Sequence, residues 1–229
     1  MSPGPCTVHA QSSCSHRGGG ADALVLAGGT GRRLGGASKP DVVARGARLI
    51  DHLLTGLENL RGRGVINRVV VVAPSEVALP DGVLRALEDP PLGGPVAGIG
   101  AGLARLSETA GRDGPAPVTA VLTCDAPESW RALPVLLSAL QAAPHAPGAC
   151  THDGTSPQYL LGVYRREEIL SVMGPGSLRD VSVRSVLGRL RPLAVDLGEL
   201  APAAHDLDTW PQVHAWDRGS GLEGWAPRQ

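Results

Sequence analysis

Aromatic side chains are nearly missing from this chain: 229 residues include no phenylalanine, two tyrosines and four tryptophans. The interior must therefore be built from Val, Leu and Ala, and the hydrophobic content of 42% is enough for a real core. Cysteine is scarce too. Four scattered residues, Cys6, Cys14, Cys124 and Cys150, exclude a disulfide framework. Charge of one sign is also lacking, since the net charge is −1, which gives no sign of a nucleic-acid or membrane surface. No apolar stretch approaches the ~20 residues of a membrane span, and the N-terminus has no apolar signal region. The expectation is a soluble, cytoplasmic protein with neither nucleic acid nor membrane as partner.

What is abundant is punctuation: Gly 31 and Pro 20. Residues 1–20 are mostly Ser, Pro, Gly and His with little apolar to fold upon, and read as a disordered leader. Cys6, His9, Cys14 and His16 within it could ligate zinc by residue type, but too few apolar residues surround them to support such a fold. Residues 217–229 read as a flexible tail, leaving one domain over 21–216.

Within that domain, apolar runs of strand length alternate with helix-patterned segments. Ala23–Leu26, Arg68–Ala73, Val118–Thr123, Gln158–Tyr164 and Leu193–Asp196 read as strands. Leu49–Arg61, Asp81–Glu88, Pro95–Leu106, Ala132–Ala142, Glu167–Met173, Val183–Leu190 and Trp210–Trp216 read as helices. Continuous β-branched runs such as RVVVVA predict strands buried on both faces. The expected fold is α/β, three layers with a mostly parallel central sheet. Ligands of such sheets sit beyond the carboxyl ends of the strands, where strand order reverses.

Three feature-rich loops fall at that edge. The first, LVLAGGTGRRLGGASKP over residues 24–40, breaks from a strand at Gly28-Gly29 into a glycine loop carrying Arg32, Arg33 and Lys39. Glycines let backbone N–H groups approach a ligand, and successive N–H groups form an anion-binding concavity. The spacing is neither a P-loop nor a dinucleotide fingerprint. Loop and cations together suit a nucleoside triphosphate. The second loop carries Asp89, able to accept hydrogen bonds from a ribose or purine amine, then Gly94, Gly98, Gly100 and Gly102. Tight helix–sheet packing accounts for the last two equally well. The third is Thr-Cys-Asp-Ala-Pro, with Asp125 ending a central strand. Mg²⁺ prefers one or two carboxylates completed by phosphate oxygens and waters. Asp125 supplies one; Asp206 and Asp208 are the source of the second, the spacing leaving open which faces the site, with Asp208 named as ligand. No nucleophile with a matched base stands out, which fits direct displacement at phosphorus. Arg165, Arg166, Arg179 and Arg184 are cations that could meet an anionic acceptor, with surface solvation as the default.

These motifs resemble a known family. LAGGTGRRLGGASKP is similar to the LAGGxSxRMGGxxK signature of the MobA-like nucleotidyltransferases. GGPVAGIGAGL at 93–103, CDAP at 124–127 and Asp206–Thr209 resemble its later segments in order and spacing, over roughly residues 22–216. The resemblance implies the Rossmann-like nucleotidyltransferase fold and transfer of GMP from GTP to molybdenum-molybdopterin, with Mg²⁺ present and pyrophosphate released. It implies nucleotide contacts at Leu26, Ala27, Gly28, Gly29, Lys39, Asp89, Gly94, Gly98 and Asp125. It also implies catalytic roles for Arg33, Lys39 and Asp125, and metal ligation by Asp125 with Asp208. The Gly28-Gly29 pair is closer to guanylyl than cytidylyl members, hence GTP. Molybdoenzyme maturation proteins are the implied partners. Two alternatives stay open: the same scaffold with another acceptor, such as adenosylcobinamide phosphate or a sugar phosphate, or a non-catalytic nucleotide-binding accessory protein. The chain departs from the pattern at Ala73, at Glu128-Ser129-Trp130 and at Trp210-Pro211.

Overall fold

A computed structural model describes residues 20–28, 38–112, 114–174 and 176–219; all but Gly20 of the residues read as leader and most of those read as tail lie outside them. The elements in chain order are β1 (Ala21–Leu26), β2 (Val43–Ala44), β3 (Ala47–Arg48), α1 (Leu49–Gly62), β4 (Ile66–Val72), β5 (Leu84–Ala86), α2 (Pro95–Glu108), β6 (Val118–Thr123), α3 (Leu133–Ala142), β7 (Gly148–His152), β8 (Pro157–Arg165), α4 (Arg166–Met173), α5 (Val183–Val186), β9 (Leu193–Val195) and α6 (Trp210–Asp217). Short 3-10 segments occupy Lys39–Asp41, Ser129–Ala132, Leu187–Leu190 and Gly198–Ala204. Among the described residues no helix is long and apolar enough to cross a membrane.

Seven strands form one sheet in the order β5-β4-β1-β6-β8-β7-β9. β1 pairs in parallel with both β4 and β6, while β8 runs antiparallel to its two neighbours. The sheet is thus mostly parallel, with one reversed strand. The chain moves outward from β1 through β4 to β5, then returns to the other side of β1 with β6. That reversal puts the switch point between the carboxyl ends of β1 and β6.

Side chains alternate along each strand, so each face has its own core. Ala23 and Val25 join α1 and α3 on one face through Leu53, Leu57, Leu136 and Leu140. Leu24 joins α2 and α4 on the other through Ile99, Leu103 and Ile169. In place of phenylalanine, Tyr164 is a large fully buried side chain, its hydroxyl donating to the Tyr159 carbonyl at 2.7 Å. A third cluster, Val42, Ala44, Leu49, Leu207, Val213 and Trp216, seats α6 on the β2–β3 hairpin.

Two expectations are corrected. Asp81–Glu88 contains no helix: Gly82 turns with a φ of 81°, and Leu84–Ala86 adds to β4 as an edge strand. Backbone pairing with Val70–Val72 overrides the short helical spacing of Val83, Leu84 and Leu87. Val183–Leu190 is one short α-helix followed by a 3-10 segment rather than one helix.

Candidate active site

The ladder of β1 continues one residue beyond its end. Ala27 N–H donates to the Val72 carbonyl at 2.9 Å, and Cys124 N–H donates to the Leu26 carbonyl at 3.0 Å. Leu26, Ala27 and Gly28 are thereby fixed between the ends of β4 and β6. Gly28 is exposed, and a Cβ built on it meets no described atom within 4 Å. Among the described residues, its missing side chain leaves open space at the switch point. Gly29, Arg32 and Arg33 lie outside the described residues.

The Ser38 hydroxyl donates to Asp41 at 2.6 Å across the 3-10 turn that presents Lys39. Pro40 is buried beneath this turn. Arg48 braces it from the side, bonding Asp41 at 3.0 Å and Asp51 at 2.7 Å.

Lys39 Nζ then reaches two carboxylates at once: Asp125 Oδ2 at 2.7 Å and Asp208 Oδ1 at 2.6 Å. These partners lie 86 and 169 positions away along the chain. Asp125 is placed by the end of β6. Asp208 is placed by the segment before α6, where Leu207 N–H donates to the Asp125 carbonyl at 2.7 Å while its side chain is buried in the third cluster. The Gln212 side-chain Oε1 accepts from the backbone N–H groups of Asp208 and Thr209 at 3.1 and 2.9 Å, locking the turn. Asp208, then, is the carboxylate the fold brings to Lys39; Asp206 instead lines a cavity next to Asp125.

Burial alone would discharge the Lys39 ammonium. The attraction and hydrogen bond of Asp125, with those of Asp208, outweigh that penalty and hold its pKa above the ordinary lysine value of 10.5. The group is a fixed positive charge. Asp125 Oδ1, by contrast, is buried with no hydrogen-bond partner among the described residues. A buried carboxylate oxygen without a donor is costly unless a cation or substrate group meets it. Among the described residues no cluster of three or more His, Cys, Asp or Glu could hold a metal alone. Two carboxylates with an unsatisfied oxygen do fit Mg²⁺, which takes the rest of its shell from phosphate and water.

Asp89 is exposed, whereas the carboxylate that organises the second loop is Glu88, accepting from Gly93 N–H at 3.1 Å. Gly94 turns the chain with a φ of 86°, and Pro95 opens α2. A Cβ on Gly98 would lie 3.0 Å from Leu26 and 3.4 Å from Val72, with Glu88 Oε2 at 4.0 Å. Gly102 serves packing: a Cβ there would sit 2.5 Å from Leu24.

The residues after CDAP also find places. Glu128 pairs with Arg45 at 3.4 Å and Arg131 at 3.7 Å, away from Lys39. Trp130 packs flat on Gly56 of α1, where any Cβ would strike its ring. Ser129 is 1% exposed and its hydroxyl has no partner among the described residues. Cys124 is no nucleophile: burial, then the Asp125 charge, push its thiol far up. Glu88, Ser129 and Gln212 were not singled out from sequence as site residues. Only Gln212 had a signal, three residues after Thr209 at capping-box spacing.

Comparison with known proteins agrees with this fold. The model of the MobA-like NTP transferase domain matches residues 23–193. A molybdenum cofactor guanylyltransferase of Pseudomonas paraeruginosa (strain DSM 24068 / PA7) is 33% identical over 195 residues, covering 81% of this chain and 89% of that protein. Among solved structures, molybdopterin-guanine dinucleotide biosynthesis protein A from Archaeoglobus fulgidus aligns with a TM-score of 0.61 at 17% identity, over 86% of this chain and 97% of its own. The 2-C-methyl-D-erythritol 4-phosphate cytidylyltransferase from Thermus thermophilus aligns with a TM-score of 0.55 at 15% identity, over 87% and 98%. The family match spans the glycine loop, the Gly93–Leu103 segment and the CDAP segment of this fold, and the chain belongs to the MobA-like NTP transferase family of nucleotidyltransferases.

Proposed function

We propose that this nucleotidyltransferase moves GMP from GTP to the phosphate of a molybdopterin-type acceptor. One observation carries the reading: Lys39, Asp125 and Asp208 meet at the switch point, beside the open space at Gly28. The name of the Pseudomonas relative supports the choice of nucleotide and acceptor.

An oxygen of the acceptor phosphate bonds to the α-phosphorus of GTP. The bond from that phosphorus to the α,β-bridging oxygen breaks, and its electron pair leaves with pyrophosphate. The attacking phosphate is already ionised, so no general base is required, in keeping with the inert Cys124. Gly28, which carries no Cβ, is assigned to let the triphosphate approach the backbone. Lys39 keeps its proton and stabilises the charge that grows on the transferred phosphoryl group. Arg33, from the glycine loop, is assigned to the departing pyrophosphate. Asp125 and Asp208 would hold Mg²⁺, which when bound neutralises phosphate charge and orients the two substrates. Leu26, Ala27, Gly94, Gly98 and Asp89 are assigned to the nucleoside.

The test is pyrophosphate release by the purified protein with GTP, CTP or ATP against molybdopterin, adenosylcobinamide phosphate and sugar phosphates, with and without magnesium. Release that needs GTP, molybdopterin and magnesium together is expected. Turnover with a sugar phosphate but not with molybdopterin would transfer the reading to another acceptor. Tight GTP binding with no release would make the protein a nucleotide-binding accessory.

A further inference from the structure

Residues 87–94 leave the carboxyl end of β5, which runs parallel to β4, and so cross the ligand edge before α2 begins. This loop contains residues assigned above to the nucleoside. Its sequence over 89–94, DPPLGG, cannot hold itself. Pro90 and Pro91 have no backbone N–H, and among the described residues no backbone hydrogen bond joins two residues of 89–94. Leu92 is 65% exposed and stands in the left-handed region at a φ of 63°. A non-glycine residue keeps that conformation only where its surroundings impose it.

The restraint comes from Leu178, Arg179 and Asp180, between α4 and α5. Arg179 Nη1 donates to the Pro90 carbonyl at 2.5 Å and, more weakly, to the Pro91 carbonyl at 3.4 Å. Asp180 N–H donates to the Gly93 carbonyl at 2.8 Å, while Glu88 Oε1 accepts from Gly93 N–H at 3.1 Å. Both polar groups of Gly93 are thus held from outside the turn. Two glycines make the clasp possible. A Cβ on the buried Gly93 would lie 2.8 Å from Ala97 Cβ and 3.2 Å from Arg179 Nη1, so a bare backbone is what lets the guanidinium lie across the loop. A Cβ on Gly100 would lie 2.6 Å from Leu178, whose side chain anchors the same segment on α2. The other arginines named from sequence do different things. Arg165 donates to the Ala146 carbonyl at 2.9 Å and Arg166 to Ser107 at 2.6 Å, while Arg184 is exposed.

We infer that Arg179 is the positioning residue of the nucleoside loop: it acts through the Pro90 and Pro91 carbonyls, without touching the nucleotide, and keeps residues 89–94 in one shape before the base arrives. A loop ordered in advance loses less binding free energy to ordering. It also presents its hydrogen-bonding groups at fixed points, which sharpens discrimination between bases. The exposed Asp89 and the Oε2 of Glu88, which lies 4.0 Å from where a Cβ on Gly98 would be, are groups whose places depend on that shape. This rests on the transferase reading above and adds a residue outside the motifs that carry the family resemblance.

Calorimetric binding and steady-state kinetics of Arg179→Ala and Arg179→Lys test it, with GTP, ATP, CTP and tripolyphosphate as ligands. For the nucleotide the wild type prefers, Arg179→Ala is expected to raise Kd and KM by about tenfold, as one charge-assisted hydrogen bond is lost. Its kcat and acceptor KM change by less than about twofold, because the interaction acts on nucleotide binding. The preference for that nucleotide over the others narrows, and tripolyphosphate binds as before. Arg179→Lys, which keeps a donor and the charge, restores Kd to within about threefold of wild type. An Arg179 that only stabilises the fold would lower Tm and leave Kd and base preference alone. That result overturns the inference while the transferase reading stands. Weakened tripolyphosphate binding would put the guanidinium on the phosphates and overturn it likewise. A wild type that binds no nucleoside triphosphate removes both readings.

Discussion

Replacing Lys39 with Met asks what one ammonium does between two carboxylates. The side chains of Lys39, Asp125 and Asp208 are 18%, 17% and 14% exposed, so solvent screens the cluster weakly. Removal deletes two charge-assisted hydrogen bonds, each about 1.5–3 kcal/mol in gross terms. It also leaves two carboxylates separated by roughly two hydrogen-bond lengths, whose repulsion at an effective dielectric of 20 is about 3 kcal/mol. Relief from burying the ammonium, together with water entering the gap, offsets part of both. A net loss of about 3 kcal/mol is expected, or about 6–12 °C in Tm for a chain of this size. The Lys39 pKa is raised in the fold, so its contribution is fully present below 10.5 and is lost only as pH rises through the higher folded value. The deficit of the Met variant should therefore be constant between pH 7 and 9. Differential scanning calorimetry without magnesium reads this directly. Added magnesium should raise the Tm of the variant more than that of the wild type, because the two carboxylates have lost their resident counter-charge. A Lys39→Met protein as stable as wild type at pH 7 would refute the reasoning.

Asp208→Asn should lower GTP turnover by about a hundredfold, whereas Asp206→Asn should change the acceptor KM with a smaller effect on kcat; parallel kinetics of the two decide which carboxylate serves the metal. Asp22 is fully buried and takes a bidentate fork from Arg68, at 2.5 and 3.1 Å, at the edge opposite the site. Asp22→Ala should cost about 2–4 kcal/mol in urea unfolding while leaving both KM values unchanged, since the partly exposed Arg68 keeps some hydration. Asp153 is held down to a pKa of about 2, first by the Thr155 hydroxyl, so its contribution is present above the ordinary carboxylate range and is lost as pH falls through 2. Thermal scans from pH 5 to pH 2 should accordingly show the gap between wild type and Asp153→Asn closing at the acid end.

Much of the molecule is readable from residue order because physics acts locally there. The β-branched runs at Arg68–Ala73 and Val118–Thr123 have no stable alternative to a strand covered on both faces, and they form β4 and β6. Lys39 and Asp125 were identifiable because each follows a strand or loop whose type fixes its end of the sheet. Other elements depend on distant partners. β7 reads GACTH, a poor strand sequence, yet a Cβ on Gly148 would lie 2.6 Å from Tyr164 and one on Gly162 2.9 Å from the same ring. Those glycines are explained by a tyrosine that sequence alone does not place across them. The β2–β3 hairpin turns through Arg45 and Gly46 at φ of 51° and 78°, and arginine is an uncommon residue for that conformation. Asp206 and Asp208 were indistinguishable by spacing; the Leu207 N–H bond to Asp125 separates them.

The docking of α6 has a consequence for the site. Asp208 is placed by its neighbour Leu207, which sits with Val213 and Trp216 in a small cluster of their own, apart from the two cores of the sheet. Under the proposed function, the pair of metal-binding carboxylates is therefore complete only when α6 is seated. Mutations in a remote apolar patch could silence the enzyme while its main fold stays intact.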